Sequence, residues 1–236
     1  MRIVCLIQAH RNSSRLPNKV LEMIGGKTML QHVAERCQAI RERFPVYVIA
    51  PRSDLDLYPG CLAPICPESD LLKRHLHAAL ALGADAVMRV TSDCPFMDPE
   101  AARDVLSAFE GGRYDYVAND MIWTYPHGLG VEIISTEALA YADSKMPPDM
   151  VDREHCTPYI IRHCTPQRGN PWPLFSGLNI RCPITGIADI KLSVDTGLEL
   201  ARARSISNDL ARRGIADYSL AQTLVSYRNV QDEAAN

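Results

Sequence analysis

No apolar run in this chain approaches the ~18 residues that cross a membrane. Only five apolar residues separate Arg2 from Gln8, so neither a span nor a signal peptide is expected. A basic excess is also missing. Lys and Arg number 25 against 28 Asp and Glu, for a net charge of -3 and a pI near 6.2. That balance argues against a nucleic-acid coat, because no global positive charge supplies phosphate affinity. The eight cysteines (Cys5, Cys37, Cys61, Cys66, Cys94, Cys156, Cys164, Cys182) form no CxxC pair, so they read as reduced thiols that mostly fill the core rather than as a zinc site. There is no internal repeat, low-complexity segment or clean linker. What remains is 236 residues, 47% of them hydrophobic, enough for one large core. The expectation is a single cytoplasmic domain over residues 1–236, with no nucleic-acid or membrane partner.

Hydrophobic patterning gives the architecture. Ile3–Gln8, Val46–Ala50 and Ala86–Val90 read as buried strands, Asp115–Ala118 and Gly130–Ile134 as short ones, and Ile190–Val194 as a late one. Helical periods cover Met29–Phe44, Asp70–Leu82, a segment from Pro99 to about Phe109, Thr136–Ser144, Gly197–Arg213 and Tyr218–Tyr227. Asp98-Pro99-Glu100 reads as an N-cap with proline at the first helical position. A further helix is expected around Arg153–His163, within the less regular Pro147–Arg168, and Val230–Asn236 is expected to fray. Strands alternating with helices predict an α/β fold, a three-layer mainly parallel sheet. The stretch from about 123 to 182 breaks the rhythm and is expected to be an insertion, a substrate arm or a dimer arm.

Two phosphate motifs fail on inspection. Gly25-Gly26-Lys27-Thr28 resembles the end of a P-loop, but Leu21 stands where its first glycine is required, and the segment reads as a turn capping the next helix. Gly128-Leu129-Gly130 begins like a dinucleotide fingerprint, but Ile133 stands where the last glycine belongs.

The segments that carry chemistry lie where strands end, the edge at which open α/β sheets bind ligands. The first strand runs into Ala9-His10-Arg11-Asn12-Ser13-Ser14-Arg15-Leu16-Pro17-Asn18-Lys19, a loop with two hydroxyls and three fixed cations, stiffened by Pro17. Backbone N–H groups there can cradle phosphate oxygens, Arg15 can bind them as a fork and Lys19 as a point charge. Arg89-Val90-Thr91-Ser92-Asp93-Cys94-Pro95 ends a strand in Asp93, and Leu192-Ser193-Val194-Asp195-Thr196 ends another in Asp195. Two such carboxylates make a magnesium clamp, although each alone also reads as a turn or cap residue. Arg74 on its helix can reach phosphate or base, or lie exposed. Asp152-Arg153-Glu154-His155 is a polar cluster that fits a substrate contact, a structural network or a dimer interface.

Together these segments resemble the cytidylyltransferases that activate acidic sugars. They are most similar to the branch named for spore coat polysaccharide biosynthesis protein F, with acylneuraminate and 3-deoxy-manno-octulosonate cytidylyltransferases as cousins. That branch begins IIQARxxSxRLPxKxL, matched by Leu6–Leu21, and continues with RxTxDCPxxDP, matched by Arg89–Pro99. Its GxxxEII-like and REHVTPYI segments resemble Gly128–Ile134 and Arg153–Ile160, and its SVDT is Ser193–Thr196. The resemblance implies a nucleotide-diphospho-sugar transferase-like fold, CTP as donor, Mg²⁺ as cofactor and a homodimer. By position it implies triphosphate contacts from Arg15 and Lys19, nucleotide contacts from Ala9, His10, Arg11, Ser13, Ser14, Arg74, Thr91 and Ser92, and metal ligation by Asp93 and Asp195. Lys19, Arg15, Asp93 and Asp195 are thus the expected catalytic set. One position departs from the pattern: His10 stands where the branch has arginine, and an imidazole with a pKa of about 6.5 is only partly charged at neutral pH. Asn12 also replaces a common glycine.

The reaction so implied is attack by an acceptor oxygen on the α-phosphorus of CTP with loss of pyrophosphate, which depends on alignment and charge neutralisation. An acidic acceptor needs cations, and His127, Arg153 and His155 are the candidates. A glycosyltransferase is the first rival, with Asp54-Leu55-Asp56 as its DxD metal motif. A non-catalytic nucleotide-binding relative is the second, and His10 is its best support.

Overall fold

The computed structural model describes residues 1–164 and 173–235. Among these residues the central sheet has six strands in the order β4-β1-β5-β7-β6-β8. These are β1 (Ile3–Gln8), β4 (Val46–Ile49), β5 (Ala86–Thr91), β6 (Tyr116–Ala118), β7 (Glu132–Ser135) and β8 (Gly177–Asn179). β1 pairs in parallel with both β4 and β5, and β6 with β8, whereas β7 runs antiparallel to β5 and β6. The small hairpin β2 (Met23–Ile24) and β3 (Lys27–Thr28) lies apart, turning through Gly25-Gly26. Thr28 then caps α1 (Met29–Gln38) in a reciprocal box with Gln31, so the Gly-Gly-Lys-Thr segment is a turn and a cap.

Alternation along β1 sets up the layers. Ile3, Cys5 and Ile7 face α1 and α3 (Pro99–Gly111), packing with Leu30, Val33, Val105 and Phe109. Val4 and Leu6 face the other way, toward α2 (Leu71–Leu82), α4 (Thr136–Lys145) and α5 (Pro158–Arg162), through Leu72, Leu76, Leu139 and Ile160. A third cluster joins α6 (Gly197–Arg212) and α7 (Leu220–Ala235) to Met29, Phe96, Leu129 and Val194.

The chain steps from β1 to β4 on one side and from β5 toward β6 on the other, so the direction reverses between β1 and β5. That is the switch point at which ligands bind in open α/β sheets. Gln8 and Thr91 are register partners, and Ser92 N donates to Gln8 O at 3.2 Å, which places the two strand-end loops side by side.

Several expectations are corrected. Ile190–Val194 is not a sheet strand. Its amides are spent elsewhere, Leu192 and Ser193 on His127 O and Val194 on Asp93 O. α1 stops at Gln38, and Arg43 adopts φ 54° before Pro45. The expected helix over 153–163 splits at Cys156 (φ 67°) into a 3-10 turn, Val151–His155, and α5. The tail does not fray at Val230, since α7 continues to Ala235; Asn236 lies outside the described residues. The 123–182 stretch contributes β7, β8 and α4 to the main architecture, while its residues 165–172 lie outside the described residues. Among the described residues no helix is long and apolar enough to cross a membrane.

Candidate active site

The loop after β1 is fastened from beneath. Ala9 N donates to Ile49 O at 3.0 Å, Arg11 N donates to Asp54 Oδ2 at 2.8 Å, and the Arg11 guanidinium forks onto Asp56 at 2.7 and 2.9 Å. The hydrogen bond to Asp56 raises the Arg11 pKa, and the same bond lowers that of Asp56. Asp54-Leu55-Asp56, weighed as a metal motif, is therefore committed to anchoring this loop, and Arg11 is largely committed with it. Asn18, at φ 58°, then turns the chain into a 3-10 turn that begins with Lys19.

Lys19 is 6% exposed and has three acceptors for its three protons. Its Nζ lies 2.7 Å from Asp93 Oδ2, 3.0 Å from Asp195 Oδ1 and 3.1 Å from Val194 O. Burial opposes its charge, but Asp93 and Asp195 outweigh that and raise its pKa. Asp195 also meets Arg15 Nη2 at 3.0 Å and Lys191 Nζ at 2.9 Å, and Lys191 reaches Glu199 Oε1 at 2.6 Å. Burial would push the Asp195 carboxyl up, but hydrogen bonds from Lys191 and Lys19 prevail and hold it down at about 2. Thr196 and Glu199 form a capping box on α6 that fixes the backbone beside Asp195.

Gly128 makes this convergence possible. It has φ 99°, and a Cβ there would run into Ser193 N and lie 2.9 Å from Leu192 C. A larger residue would push the 192–195 backbone away from Asp93. The glycine pair weighed as a dinucleotide fingerprint thus has a packing role.

Among the described residues no group of three or more His, Cys, Asp or Glu side chains is poised to hold a metal. The donor set at the cluster is two carboxylates, all hard oxygen. That suits Mg²⁺, which takes one or two protein carboxylates and completes its shell with water and substrate phosphates.

Two cavities open at this edge. The larger, about 400 Å³, is lined by His10 and Asn12 of the first loop with Pro51, Glu68, Leu71 and Arg74 among others. Arg74 is 2% exposed; its Nη2 donates to Glu68 O at 2.7 Å, and its buried Nε has no partner among the described residues. The smaller, about 240 Å³, adjoins Asp93 and is lined by Arg89, Thr91, Asp120, His127 and Glu132 among others. Trp123 stacks on His127 at its mouth, ring centroids 4.3 Å apart.

The expected residues therefore divide. Arg15, Lys19, Asp93 and Asp195 converge, His10 and Arg74 share the larger cavity, and Thr91 and His127 line the smaller. Ser92 is buried, Ser14 exposed and Ser13 half-buried on the first loop. Arg153 is a correction. It is 4% exposed and ties Asp70 (Nε–Oδ2 2.9 Å), Asp143 and Met146 O together, bracing the N-terminus of α2 against α4 rather than facing a ligand. His155 is exposed, and neither cavity is lined by it. Sequence reasoning missed Asp120, Trp123, Glu132 and Lys191. A signal existed for Glu132 and Arg89, charges inside otherwise apolar strands, but only the β5–β7 register shows them to be cross-strand partners.

Comparison with known proteins places this geometry in context. Residues 6–145 match the MobA-like NTP transferase domain. The 8-amino-3,8-dideoxy-manno-octulosonate cytidylyltransferase of Shewanella frigidimarina is 28% identical over 193 residues, covering 76% of this chain and 74% of that protein. Spore coat polysaccharide biosynthesis protein SpsF of Bacillus subtilis is 26% identical over 174 residues, covering 68% and 70%. A solved cytidylyltransferase from Leptospira borgpetersenii superposes with a TM-score of 0.80 at 21% identity, covering 100% of this chain and 96% of that one. A CMP:2-keto-3-deoxy-manno-octonic acid synthetase solved in complex with CTP gives 0.63 at 17% identity, covering 89% and 99%. At these identities the two solved structures share the fold with this chain.

Proposed function

The chain belongs to the family of MobA-like NTP transferase domains, and from that premise we propose that it transfers a cytidylyl group from CTP to an acidic sugar or related acidic acceptor, releasing pyrophosphate. The observation that carries this reading is Lys19 bridging Asp93 and Asp195 at the ends of β5 and of the 190–194 segment, with Arg15 beside them. Relatives named as cytidylyltransferases support CTP as the donor.

In this reading Arg15, whose side chain is 63% exposed, faces the β- and γ-phosphates, and the Lys19 ammonium adds positive charge behind it while its protons stay on Asp93, Asp195 and Val194 O. Arg15 can bind as a fork; Lys19 also screens the repulsion between the two carboxylates. Asp93 and Asp195 would hold Mg²⁺. When bound, the metal neutralises charge developing on the phosphates and lowers the pKa of the acceptor hydroxyl. The depressed pKa keeps Asp195 ionised throughout the neutral range. The larger cavity, with Arg74 and His10, is assigned to the nucleoside, and the smaller one beside Asp93 to the acceptor. A homodimer and a cytoplasmic location belong to the same reading.

The test is incubation with each of the four NTPs, Mg²⁺ and a panel of acidic acceptors, following pyrophosphate and the mass of the nucleotide product. CTP alone is expected to give a CMP-linked product. Release of a free nucleoside diphosphate from a nucleotide sugar would overturn the proposal in favour of a glycosyltransferase.

A further inference from the structure

The smaller cavity contains a carboxyl that the proposed chemistry does not use. Asp120 lies just beyond β6, and its Oδ1 is buried with no hydrogen-bond partner among the described residues. Its other oxygen packs against Gly130, where a Cβ would collide with Oδ2 and lie 3.2 Å from Cγ. The neighbouring charged groups are already committed. Arg89 donates to Glu132 and, through Nε at 3.0 Å, to Gln8 Oε1. The second Glu132 oxygen accepts from Tyr116 OH at 2.6 Å. Asp93 has Lys19, and the His127 ring has Trp123. Asp120 is the surplus acid among the cavity's charged lining residues.

We propose that Asp120 selects the acceptor by pairing with an ammonium group, so that the cavity beside Asp93 takes an amino-bearing sugar acid. The proposal rests on the reading of this chain as a cytidylyltransferase and names the substrate class that its acceptor cavity prefers. Burying an ionised carboxylate without a counter-ion costs several kcal/mol, and a neutral hydroxyl contributes a hydrogen bond without cancelling the charge. An ammonium does both. An acceptor that turned its own carboxylate toward Asp120 would find no uncommitted cation there among the described residues. Burial first, and then the charge of Glu132 on β7, push the Asp120 carboxyl up to about 8 against the opposing pull of Arg89 on β5. Tyr116 on β6, the Cys94 thiol, which burial pushes up, and the flanking Asp93 and His127 are the other titratable groups around the cavity. At pH 7 an arriving ammonium therefore displaces a proton from Asp120 to the buffer, while its own nitrogen stays protonated.

The experiment is titration calorimetry on the full chain with CTP present and divalent metal chelated, so that binding is read without turnover. Two matched pairs serve as probes: 8-amino-3,8-dideoxy-manno-octulosonate against 3-deoxy-manno-octulosonate, and 2-amino-2-deoxygluconate against gluconate. In at least one pair the amine is expected to bind at least tenfold tighter than its hydroxyl counterpart. Buffers of different ionisation enthalpy should show close to one proton released. In Asp120→Asn, nearly the same in size, the preference should fall below twofold and the proton release should vanish, with CTP affinity retained. Equal binding, tighter binding of the hydroxyl compounds, no binding of any probe while CTP binds, or a preference that survives Asp120→Asn overturns the proposal. Loss of CTP selectivity in the four-nucleotide comparison would instead overturn the cytidylyltransferase reading and leave the amine preference to be read by itself.

Discussion

At the scale of single residues, Lys19 and Asp120 are opposite solutions to burying charge. Lys19 is enclosed by acceptors on three sides, so its charge is held and its pKa rises. Removing it leaves Asp93 and Asp195 facing each other with Arg15 and Lys191 as the remaining cations. Lys19→Met is expected to cost about 2–3 kcal/mol of stability, toward the low end for breaking a buried pair because both carboxylates are partly exposed. CTP-dependent pyrophosphate release should fall at least 100-fold. Denaturant unfolding and a steady-state assay read the two effects separately, and an active, equally stable variant would contradict the assignment. Asp120 has no such enclosure. Its folded-state pKa of about 8 lies above the ordinary 3.8, so the native chain binds more protons than the unfolded chain between those values. Stability contributed by the protonated carboxyl is therefore present below about pH 4 and is lost as pH rises through 8. Asp120→Asn should be more stable than the parent, by a margin that grows with pH across that window by at most about 1.4 kcal/mol per unit. Melting curves from pH 5 to 9 would refute this if the two proteins tracked each other in parallel. Lys19 could be read from sequence because it shares a strand-end loop with Arg15. Asp120 could not, because its environment comes from β5, β6 and β7, whose register no local pattern encodes.

At the scale of elements, the chain uses short irregular segments to aim residues that the strands bring near. The 3-10 turn that begins with Lys19 and the extended 190–195 segment are both fixed by backbone bonds to loops rather than by a ladder. This is why Ile190–Val194 reads as a strand and is not one: its apolar pattern reports burial, which Leu192 and Val194 have, and says nothing about where its amides go. The longer helices were readable because caps such as Asp98 and Thr196 mark their starts. β2, β3 and β8, of two or three residues each, are too short to carry a period. Gly128→Ala tests the convergence. At φ 99°, with backbone atoms of Leu192 and Ser193 against the new methyl, it should destabilise by about 2–4 kcal/mol and lower activity by displacing Asp195. Gly26→Ala is the control. It has a positive φ of 87° but no described residue within 4 Å of the new methyl, so it should cost about 1 kcal/mol and leave activity intact. Equal effects from the two would remove Gly128 from the account. Asp56→Ala tests the first loop: the pair is exposed and screened by solvent, so the melting temperature should barely change. CTP affinity should weaken a few-fold as Arg11 loses its fork, with the metal requirement unchanged; loss of metal dependence would return Asp54-Leu55-Asp56 to the status of a metal motif.

At the scale of the whole molecule, the site joins parts of unequal rigidity. Lys19 and Asp93 follow β1 and β5, which sit at the centre of the sheet with partners on both sides. Asp195 arrives about a hundred residues after Asp93, on a segment that has no strand ladder: its backbone is held by isolated hydrogen bonds to His127, Asp93 and Glu199, and otherwise by the ion pairs of Asp195, Lys19 on Val194 O and contacts with the third apolar cluster. Local opening follows contact density and backbone bonding, so the 190–195 segment should open at lower free energy than β1. A triphosphate and metal that engage Asp93 and Asp195 together stabilise only the arrangement in which the segment is docked, and mass action then shifts the population toward it. Hydrogen exchange read by mass spectrometry should show amides of 190–195 exchanging at least tenfold faster than those of Ile3–Gln8, and slowing when CTP and Mg²⁺ are added together. CTP without the metal should slow them less, because only Arg15 and Lys19 then tie the ligand to Asp195. Protection of 190–195 equal to that of β1 before any ligand is added would mean that Asp195 is preset as firmly as Asp93. Binding would then complete a rigid site rather than draw two parts of the molecule together.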